Sequence, residues 1–403
     1  MERSTFTDAK SKLEYHPQTV ERLLNNEPVI PISMEVDLSY FCGDQCTFCH
    51  FSYTHQKPVR TDALLPILEK VFMPPKLADE VLRKMNEAGV KSIVFSGGGE
   101  PTDSPFALEI FKMAKSYNLE LGMYTRGFNL KGELGEFVAN NFEWVVVSLD
   151  VTNPEEHKLI KGTNGKIFLE KLENIHNFLK IPNRHANISV SAMVDTGHLE
   201  NVPPYPEQQD LFGTDATQVT KLERDMLWLL GLGADEVQIR PIIDTGSYKE
   251  QRESHQMKGM AFMTDKQIWQ EHYSWIPKVV SILERYNSLA GLNTSIDKFH
   301  QVYEGESGEE TCYGMVISAG LVASDGKVYK CVNTRSIPEK IIGDLKTQSM
   351  EEIFLSESLD RSIDSFCRVG CRGCKVNEVF NRLSHSETVF LSPRQGVKHP
   401  NFI

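Results

Sequence analysis

The sequence predicts an α/β fold in which parallel strands alternate with helices. Strand-like and helix-like segments alternate about six times between residues 28 and 243, which implies parallel strands joined by right-handed crossovers. One segment, Trp144–Asp150, is almost continuously apolar, as is typical of a parallel strand buried on both faces. After Gly305 short β segments and turn residues take over, so we expect a small α+β domain to follow.

The individual elements follow from hydrophobic periodicity and from turn residues. Residues 1–27 are polar and predict a short helical lead-in. Strands are predicted at Pro28–Leu38, Ser92–Phe95, Leu119–Tyr124, Trp144–Asp150, Ile188–Val194 and Glu236–Ile243. Helices are predicted over Leu77–Ala88, 105–117, 132–140, Phe168–Leu179, 217–231 and Lys266–Leu289, with loops at Asn201–Gly213 and 244–263.

The C-terminal part is predicted to contain a hairpin within Ile317–Val332 and a short helix beginning at Met350–Phe354. We therefore expect a lead-in over 1–27, an α/β domain over 28–300 and a smaller domain over 301–403. Functional groups of α/β folds lie in loops after the carboxyl ends of strands. Five candidate segments follow predicted strands: Cys42–Cys49, Gly97–Glu100, Thr125–Gly127, Ser148–Asp150 and Arg240–Pro241.

Composition and charge argue against several classes of protein. The 403 residues are 40% hydrophobic and 24% charged, which is ordinary for a soluble globular protein. The formal net charge of −12 argues against a nucleic-acid binder dominated by phosphate contacts. No signal peptide is visible, and no stretch is apolar over the roughly 18 residues that span a bilayer. We therefore expect a cytoplasmic protein with no membrane partner.

The eight cysteines form two sets separated by more than half of the chain. In the cytoplasm such cysteines indicate metal binding or catalysis rather than disulfides. The thiols of Cys42, Cys46 and Cys49 lie within eight residues, so they can converge on one iron–sulfur cluster or one zinc ion. Three cysteines leave one iron of a four-iron cluster open for chemistry. Zinc needs a fourth ligand, and the adjacent His50 is poorly placed to complete a tetrahedron.

Two motifs carry a family resemblance. Cys42-x3-Cys46-x2-Cys49, with Phe48 before the last cysteine, is followed one strand later by Ser96-Gly-Gly-Gly-Glu100-Pro. Together they resemble the radical S-adenosylmethionine (radical SAM) superfamily. The resemblance implies a partial (β/α)6 barrel of the TIM type and a [4Fe-4S] cluster whose open iron binds SAM. It also implies that an electron cleaves SAM to a 5′-deoxyadenosyl radical, which takes a hydrogen atom from a substrate.

The resemblance further implies that residues of the cluster loop and the glycine motif contact SAM. Phe48 is the expected cofactor contact from the cluster loop. His50, Tyr53 and His55 follow that loop and would shape the cavity or cover the cluster. Gly97, Gly98 and Gly99 lack a Cβ and would let the backbone approach the methionyl amino group, with Glu100 beside it. A tight strand-to-helix turn is the alternative role of these glycines.

Weaker candidates for SAM contacts end the later strands. Ser148 and Asp150 lie where the family often places groups that contact the ribose, and capping of the next segment is the alternative. Thr125 and Arg126 follow the third strand and would face the cofactor. Arg240 would face a carboxylate of SAM or of the substrate, or else form a surface ion pair.

The C-terminal cysteines resemble a second family pattern. Cys312-x13-Gly326-x4-Cys331 is similar to the opening of SPASM and twitch auxiliary-cluster domains. A full SPASM domain carries seven cysteines and two clusters, so the five cysteines here fit the shorter twitch form. That form implies an auxiliary [4Fe-4S] cluster, with zinc as the alternative. Its four expected ligands are Cys312, Cys331, Cys371 and Cys374. Cys367 is then a substitute ligand, a buried bystander or a catalytic thiol that donates a hydrogen atom.

These observations predict a radical SAM enzyme that uses an auxiliary cluster in an oxidation, epimerisation, rearrangement or crosslink. About 27 residues precede the first predicted strand, too few for the peptide-binding domain of many peptide-modifying relatives. A small molecule, such as a sugar or a natural-product intermediate, is therefore favoured over a ribosomal peptide. An electron donor such as flavodoxin or ferredoxin is the expected partner, and nucleic acid is not expected. A zinc-stabilised binding protein is the non-enzymatic alternative.

Overall fold

The computed structural model describes residues 12–49, 72–213, 216–242, 266–304, 311–317, 320–335, 337–357, 359–362, 399 and 401–402. The polar loop predicted over 244–263 lies outside these residues. Among the described residues, no helix is long and apolar enough to cross a membrane.

Twelve strands are present in the described part of the chain. They are β1 (Ser33–Asp37), β2 (Ser92–Ser96), β3 (Glu120–Thr125), β4 (Trp144–Ser148), β5 (Asn187–Val194), β6 (Asn201–Val202), β7 (Val219–Thr220), β8 (Glu236–Pro241), β9 (Leu292–Asn293), β10 (Leu321–Val322), β11 (Lys327–Tyr329) and β12 (Ile341–Asp344). Strands β6 and β7 form a separate antiparallel pair. The other ten belong to one sheet in the order β12-β11-β10-β1-β2-β3-β4-β5-β8-β9.

Thirteen α-helices are present in the described residues. They are α1 (Pro17–Leu24), α2 (Pro75–Ala88), α3 (Ala107–Ser116), α4 (Gly132–Asn141), α5 (Pro154–Lys161), α6 (Gly165–Leu179), α7 (Gln209–Phe212), α8 (Lys221–Gly231), α9 (Lys266–His272), α10 (Ile276–Tyr286), α11 (Ile296–Glu304), α12 (Gly314–Ile317) and α13 (Met350–Phe354). Strands β1 to β5 and β8 are all parallel to their neighbours. Six parallel strands joined by helices confirm the predicted α/β class and the partial (β/α)6 barrel.

The two faces of the barrel differ in their packing because successive strand residues point to opposite sides. On the outer face, Ile93 and Phe95 of β2 belong to the main core shared with the helices. On the inner face, Tyr124, Trp144 and Val146 form a separate small cluster. We call this inner face the lumen.

C-terminal residues close the lumen at the amino ends of the strands. The ring of Phe402 lies 5.5 Å from that of Trp144, centroid to centroid. Asn401 donates to the Glu120 carboxylate at 2.6 Å and accepts from the Ser92 hydroxyl at 2.7 Å. We therefore expect the functional site at the other end of the lumen, where the carboxyl ends of the strands lie.

Two predicted segments were wrong. The segment Asn201–Gly213, predicted as a loop, contains strand β6 and helix α7. The single helix predicted over Lys266–Leu289 is two helices, α9 and α10, separated by Tyr273–Trp275. Pro277 lies in the first turn of α10, where its missing N–H is tolerated, whereas inside a continuous helix its ring would clash with a preceding carbonyl. Helix α5 and strand β9 were not predicted at all.

The sheet crosses the domain boundary predicted near residue 300. Strand β10 pairs parallel with β1, with Glu35 opposite Leu321 and Val36 opposite Val322. Strands β11 and β12 then extend the sheet as antiparallel neighbours. The predicted hairpin is therefore present, and it forms the continuation of the barrel sheet. The boundary itself stays a prediction.

Candidate active site

The loop that carries Cys42, Cys46 and Cys49 follows β1 and is held by its backbone. The N–H of Gln45 donates to the Lys161 carbonyl at 2.7 Å, and that of Thr47 donates to the Ile160 carbonyl at 2.9 Å. The N–H of Gly43 donates to the Asp103 carboxylate at 2.9 Å. The end of α5 and the turn after β2 thus position the cysteine loop.

The glycine motif is needed for packing of the chain itself. A Cβ on Gly99 would lie 2.3 Å from the carbonyl oxygen of Phe41, and one on Gly97 would lie 1.8 Å from that of Gly99. The N–H of Glu100 also donates to the Phe41 carbonyl at 2.7 Å. The glycines therefore allow the turn after β2 to lie directly against the start of the cysteine loop. Their approach to SAM, including that of Gly98, stays a prediction.

Glu100 joins the ends of β2 and β3. Its carboxylate is 3% exposed and accepts from the Thr102 N–H and hydroxyl, the Thr125 hydroxyl and the Arg126 N–H, at 2.5–3.1 Å. Burial raises the pKa of Glu100, and the neighbouring Asp103 adds to the rise, while these hydrogen bonds oppose it. The carboxylate thus orients Thr125 and Arg126 at the edge of the site.

Asp44, inside the cysteine loop, is the centre of a buried ion network that the sequence did not reveal. Its carboxylate accepts from Arg126 Nη1 at 2.9 Å and from Lys171 Nζ at 2.5 Å. Lys171 Nζ also lies 3.1 Å from His157 Nε2. Burial alone would raise the pKa of Asp44, but Lys171, Lys161 and Arg126 together lower it below its usual range.

Lys161 connects the cysteine loop with the end of β4. It forms a buried ion pair with Asp150, donates to the Ser148 carbonyl at 3.0 Å, and lies 5.3 Å from the centre of the Phe48 ring. Asp150 has a left-handed backbone, with φ of +65°, which is uncommon for residues other than glycine. Its Oδ1 is buried and has no hydrogen-bond partner in the structure. This oxygen can accept a hydrogen bond from a ligand.

The donor set of the cysteine loop fits an iron–sulfur cluster. Burial raises the pKa of the Cys42 and Cys46 thiols; for Cys46 the cations of Lys161 and Lys171 oppose the rise. Thiolates at this place therefore need positive charge, which those lysines and bound iron would supply. Within the described ranges no three His, Cys, Asp or Glu side chains converge on a single-ion site. The assignment of Cys42, Cys46 and Cys49 as ligands of the cluster stays a prediction.

Two of the expected auxiliary ligands are described. Cys312 is buried, and its N–H donates to the Arg361 carbonyl at 2.7 Å. Cys331 is partly exposed and begins a short 3₁₀ turn, Val332–Thr334. The remaining cysteines, Cys367, Cys371 and Cys374, lie outside the described residues, as do His50, Tyr53 and His55. Their roles stay predictions.

A residue that the sequence did not mark connects the C-terminal region to the barrel. Arg335, four residues after Cys331, is 1% exposed. Its Nε lies 2.7 Å from the Asp37 carboxylate and its Nη2 lies 2.7 Å from that of Glu35. Nη2 also donates to the Ser96 hydroxyl at 3.0 Å. Burial raises the pKa of Asp37 to about 6, although Arg335 opposes the rise.

Arg240, near the end of β8, faces the lumen. Its guanidinium lies 5.4 Å from the centre of the Tyr124 ring and donates to the side chain of Gln238. Because Tyr124 belongs to the lumen cluster, the cation lies inside the barrel. Among the described carboxylates none pairs with Arg240, so the surface ion pair considered as its alternative role is absent there.

Comparison with known proteins identifies two domains in the chain. Residues 36–191 match the radical SAM superfamily, and residues 312–375 match the SPASM iron–sulfur cluster-binding domain. A probable GTP 3′,8-cyclase from Thermococcus kodakarensis is 28% identical over 148 residues, which are 36% of this chain and 44% of that protein. An S-adenosylmethionine-dependent nucleotide dehydratase from Flammeovirga pacifica is 24% identical over 38% of this chain and 50% of its own length. The chain thus spans about half the length of these curated relatives.

Solved structures share the fold at low sequence identity. Streptococcus suis SuiB bound to the precursor peptide SuiA superimposes with a TM-score of 0.52 and 12% identity, over 89% of this chain and 70% of that one. The structure of anSMEcpe with bound AdoMet superimposes with a TM-score of 0.51 and 14% identity, over 81% of this chain and 82% of that one. The two matched domains imply a [4Fe-4S] cluster that binds SAM and an auxiliary iron–sulfur cluster. The chain contains a radical SAM domain and, in its C-terminal part, a SPASM iron–sulfur cluster-binding domain.

Proposed function

We propose that this enzyme cleaves SAM reductively and removes a hydrogen atom from a small-molecule substrate. The observation that carries the proposal is the convergence of the cysteine loop, the glycine turn and the ends of β3 and β4. The carboxylates of Glu100 and Asp44 and the cation of Lys161 hold these segments together. When bound, the cluster and SAM supply a 5′-deoxyadenosyl radical.

The residues of the chain have separate tasks in this proposal. Cys42, Cys46 and Cys49 would hold the cluster, and Asp44 would keep their loop in place through Arg126 and Lys171. The free Oδ1 of Asp150 would accept a hydrogen bond from a hydroxyl of SAM. Because these groups are fixed by the chain before any ligand binds, little reorganisation is needed on binding.

The polar lining of the lumen supports a polar small molecule as substrate. Strand register places Ser189 and Glu236 in line with the lumen residue Val146, and Arg240 lies over Tyr124. An arginine that no described carboxylate neutralises is suited to an anionic group of a ligand. Nucleotides carry such groups, and the names of the curated relatives refer to nucleotides. A sugar or natural-product intermediate with an acidic group would fit the same lining.

The auxiliary cluster and the electron donor complete the proposal. Oxidation, epimerisation and rearrangement are the reactions we propose for this substrate, with flavodoxin or ferredoxin as the electron donor. A ribosomal peptide is the second candidate, since SuiB was solved with a precursor peptide. Incubation with nucleotides, sugar phosphates or peptides, followed by mass spectrometry of the products, separates these classes.

Iron content and SAM cleavage test the proposal. After anaerobic purification we expect about eight irons and eight sulfides per chain, for two [4Fe-4S] clusters. Cys46→Ala should abolish formation of 5′-deoxyadenosine from SAM and reductant. The matched variant Cys331→Ala should lower iron to about four per chain while the first cluster still assembles. Zinc without sulfide in the wild type, or 5′-deoxyadenosine from the Cys46 variant, would contradict the assignment.

A further inference from the structure

The guanidinium of Arg335 contacts Ser96, which precedes the glycine turn, directly, and it is connected to Gly98 through the Asp37 carboxylate. It donates to the hydroxyl of Ser96, the residue that precedes Gly97. It also binds the Asp37 carboxylate through Nε and Nη2, at 2.7 and 3.1 Å, and that carboxylate accepts a backbone hydrogen bond from Gly98. One side chain of the C-terminal region therefore fixes both the start and the middle of the turn proposed to bind SAM.

Arg335 directly follows the turn that begins at Cys331, and its guanidinium also contacts that turn. Its Nη1 donates to the Val332 carbonyl at 3.0 Å. The same turn is closed by Thr334, whose hydroxyl donates to the Cys331 carbonyl at 2.7 Å and accepts from the Cys331 N–H at 3.1 Å. Thr334 is buried. A movement of the Cys331 backbone is thus transmitted to Arg335 within one turn of chain.

Burial keeps Arg335 paired with Asp37. Arg335 is 1% exposed and Asp37 is 0% exposed, so neither charge can be hydrated if the pair separates. A buried pair that loses one partner is strongly destabilised, because the remaining charge has no compensation. The guanidinium must therefore stay on Asp37, and the turn at Cys331 and the turn at Gly97–Gly99 keep one relative position.

We propose that Arg335 is a positioning residue that couples the auxiliary-cluster loop at Cys331 to the SAM-binding turn at Gly97–Gly99. The coupling rests on the proposed SAM site and on Cys331 as an auxiliary ligand. When the auxiliary cluster holds Cys331, Arg335 holds the glycine turn in its binding conformation. When Cys331 is not ligated, its turn relaxes, and SAM binds less tightly at a first cluster that is itself intact.

A double-mutant cycle on SAM binding tests the coupling. SAM dissociation constants would be measured by equilibrium dialysis without reductant for the wild type, Cys331→Ala, Arg335→Lys and the double variant. Lysine keeps the charge but cannot bridge Asp37, Glu35 and Ser96 at once. We expect Cys331→Ala and Arg335→Lys each to weaken binding by about fivefold or more. The double variant should bind SAM as tightly as whichever single variant binds it less tightly.

Lys84→Gln is the matched control. Lys84 also connects the barrel to the C-terminal region, through the carbonyls of Leu345 and Gln348, but these contacts are remote in the sequence from both turns. Its loss should leave SAM affinity within about twofold of the wild type, and the effect of Cys331→Ala should persist in full in its background. A Lys84 effect as large as that of Arg335 would reduce Arg335 to one of several structural contacts.

Further outcomes separate the coupling from the proposed function. Ser96→Ala removes the hydroxyl that accepts from Arg335 and donates to Glu35, and it replaces Arg335→Lys in the cycle if the lysine variant does not fold. The coupling is wrong if the decrease in SAM affinity of the double variant equals the product of the decreases in the two single variants. It is also wrong if Cys331→Ala binds SAM like the wild type. In both cases the proposed function stands. A wild type that holds iron and sulfide but binds no SAM would overturn both.

Discussion

Buried cations hold the loop that carries Cys42, Cys46 and Cys49. The side chains of Lys161 and Lys171 are almost completely removed from solvent, yet each has a carboxylate partner. His157 packs against Lys171, with 3.1 Å between Nε2 and Nζ, and its Nδ1 lies 3.1 Å from the Thr163 hydroxyl. The imidazole therefore has to stay neutral beside a buried ammonium group.

The neutral His157 predicts a pH dependence of stability. Burial, followed by the charge of Lys171, lowers its pKa to about 4, whereas an unfolded chain takes up this proton near pH 6.5. Acid therefore favours unfolding. The contribution of the neutral His157 to the free energy of unfolding is fully present above pH 6.5 and is lost as the pH falls towards 4. At pH 5.5 the loss is about 1 kcal/mol. Urea unfolding of the wild type and His157→Gln at pH 7.5 and 5.5 measures it.

The variant should lose this part of the pH dependence. His176→Gln, in an exposed position of the same helix as Lys171, should behave like the wild type. An equal pH dependence in His157→Gln and the wild type would show that the imidazole does not resist protonation.

The C-terminal end of α5 supports the cysteine loop. Gly162 ends this helix in a left-handed conformation, with φ of +66°, and a Cβ there would lie 2.9 Å from the Cβ of Gln45. Gln45 lies between Cys42 and Cys46 and is already bonded to the Lys161 carbonyl. The helix end and the loop are thus in direct contact.

Gly162→Ala should disturb cluster assembly, and Gly89→Ala should not. Gly89 ends α2 with φ of +93° and has open space around a built Cβ. Both changes force alanine into a left-handed conformation, at roughly 1–2 kcal/mol each. Only the Gly162 variant also pushes the cysteine loop, so only it should contain less iron after anaerobic reconstitution. Thermal unfolding checks that the two are similarly destabilised, and equal iron in both would contradict the contact.

The sequence predicted the parallel strands well because their apolar runs and following motifs are local signals. Helix α5 was missed because apolar residues do not mark its buried face: Leu159 is 74% exposed, whereas His157 and Lys161 are buried. Its start and stop signals, Asn153-Pro154 and Gly162, were present in the sequence. Such signals find a helix, but they do not show that its last lysine reaches Asp150.

The ion pairs of the site could not be predicted from spacing. Lys171 and Asp44 are 127 residues apart, and Arg335 and Asp37 are 298 apart. No period or motif connects such positions, because the contact is made only in the folded structure. The motif residues mark where we propose that the chemistry lies, and the buried charges that orient them become visible only in the fold.

At the scale of the molecule, the barrel and the C-terminal region share one sheet. Strand β1 lies between β2 and β10, and Asp37 at its end is neutralised by Arg335. Without the C-terminal region, β1 would be an exposed edge with unpaired backbone groups. The radical SAM domain is therefore expected to depend on the auxiliary region for its solubility.

Two truncated chains test this dependence. A fragment of residues 1–304 loses β10 and Arg335, and it should form aggregates by size-exclusion chromatography with light scattering. A fragment of residues 1–357 keeps both while losing the same C-terminal tail, and it should contain more monomer. A monomeric 1–304 fragment with the thermal stability of the longer one would contradict the prediction.

The pairing of β1 with β10 also has a consequence for synthesis on the ribosome. More than 280 residues separate Glu35 from its partner Leu321. At about 5–20 residues per second, roughly 15–60 s pass before the second neighbour of β1 is translated. During that time the nascent barrel exposes a strand edge on which another chain can add. Slow translation lengthens this interval, and a chaperone that covers the edge of β1 would protect the growing chain until β10 emerges.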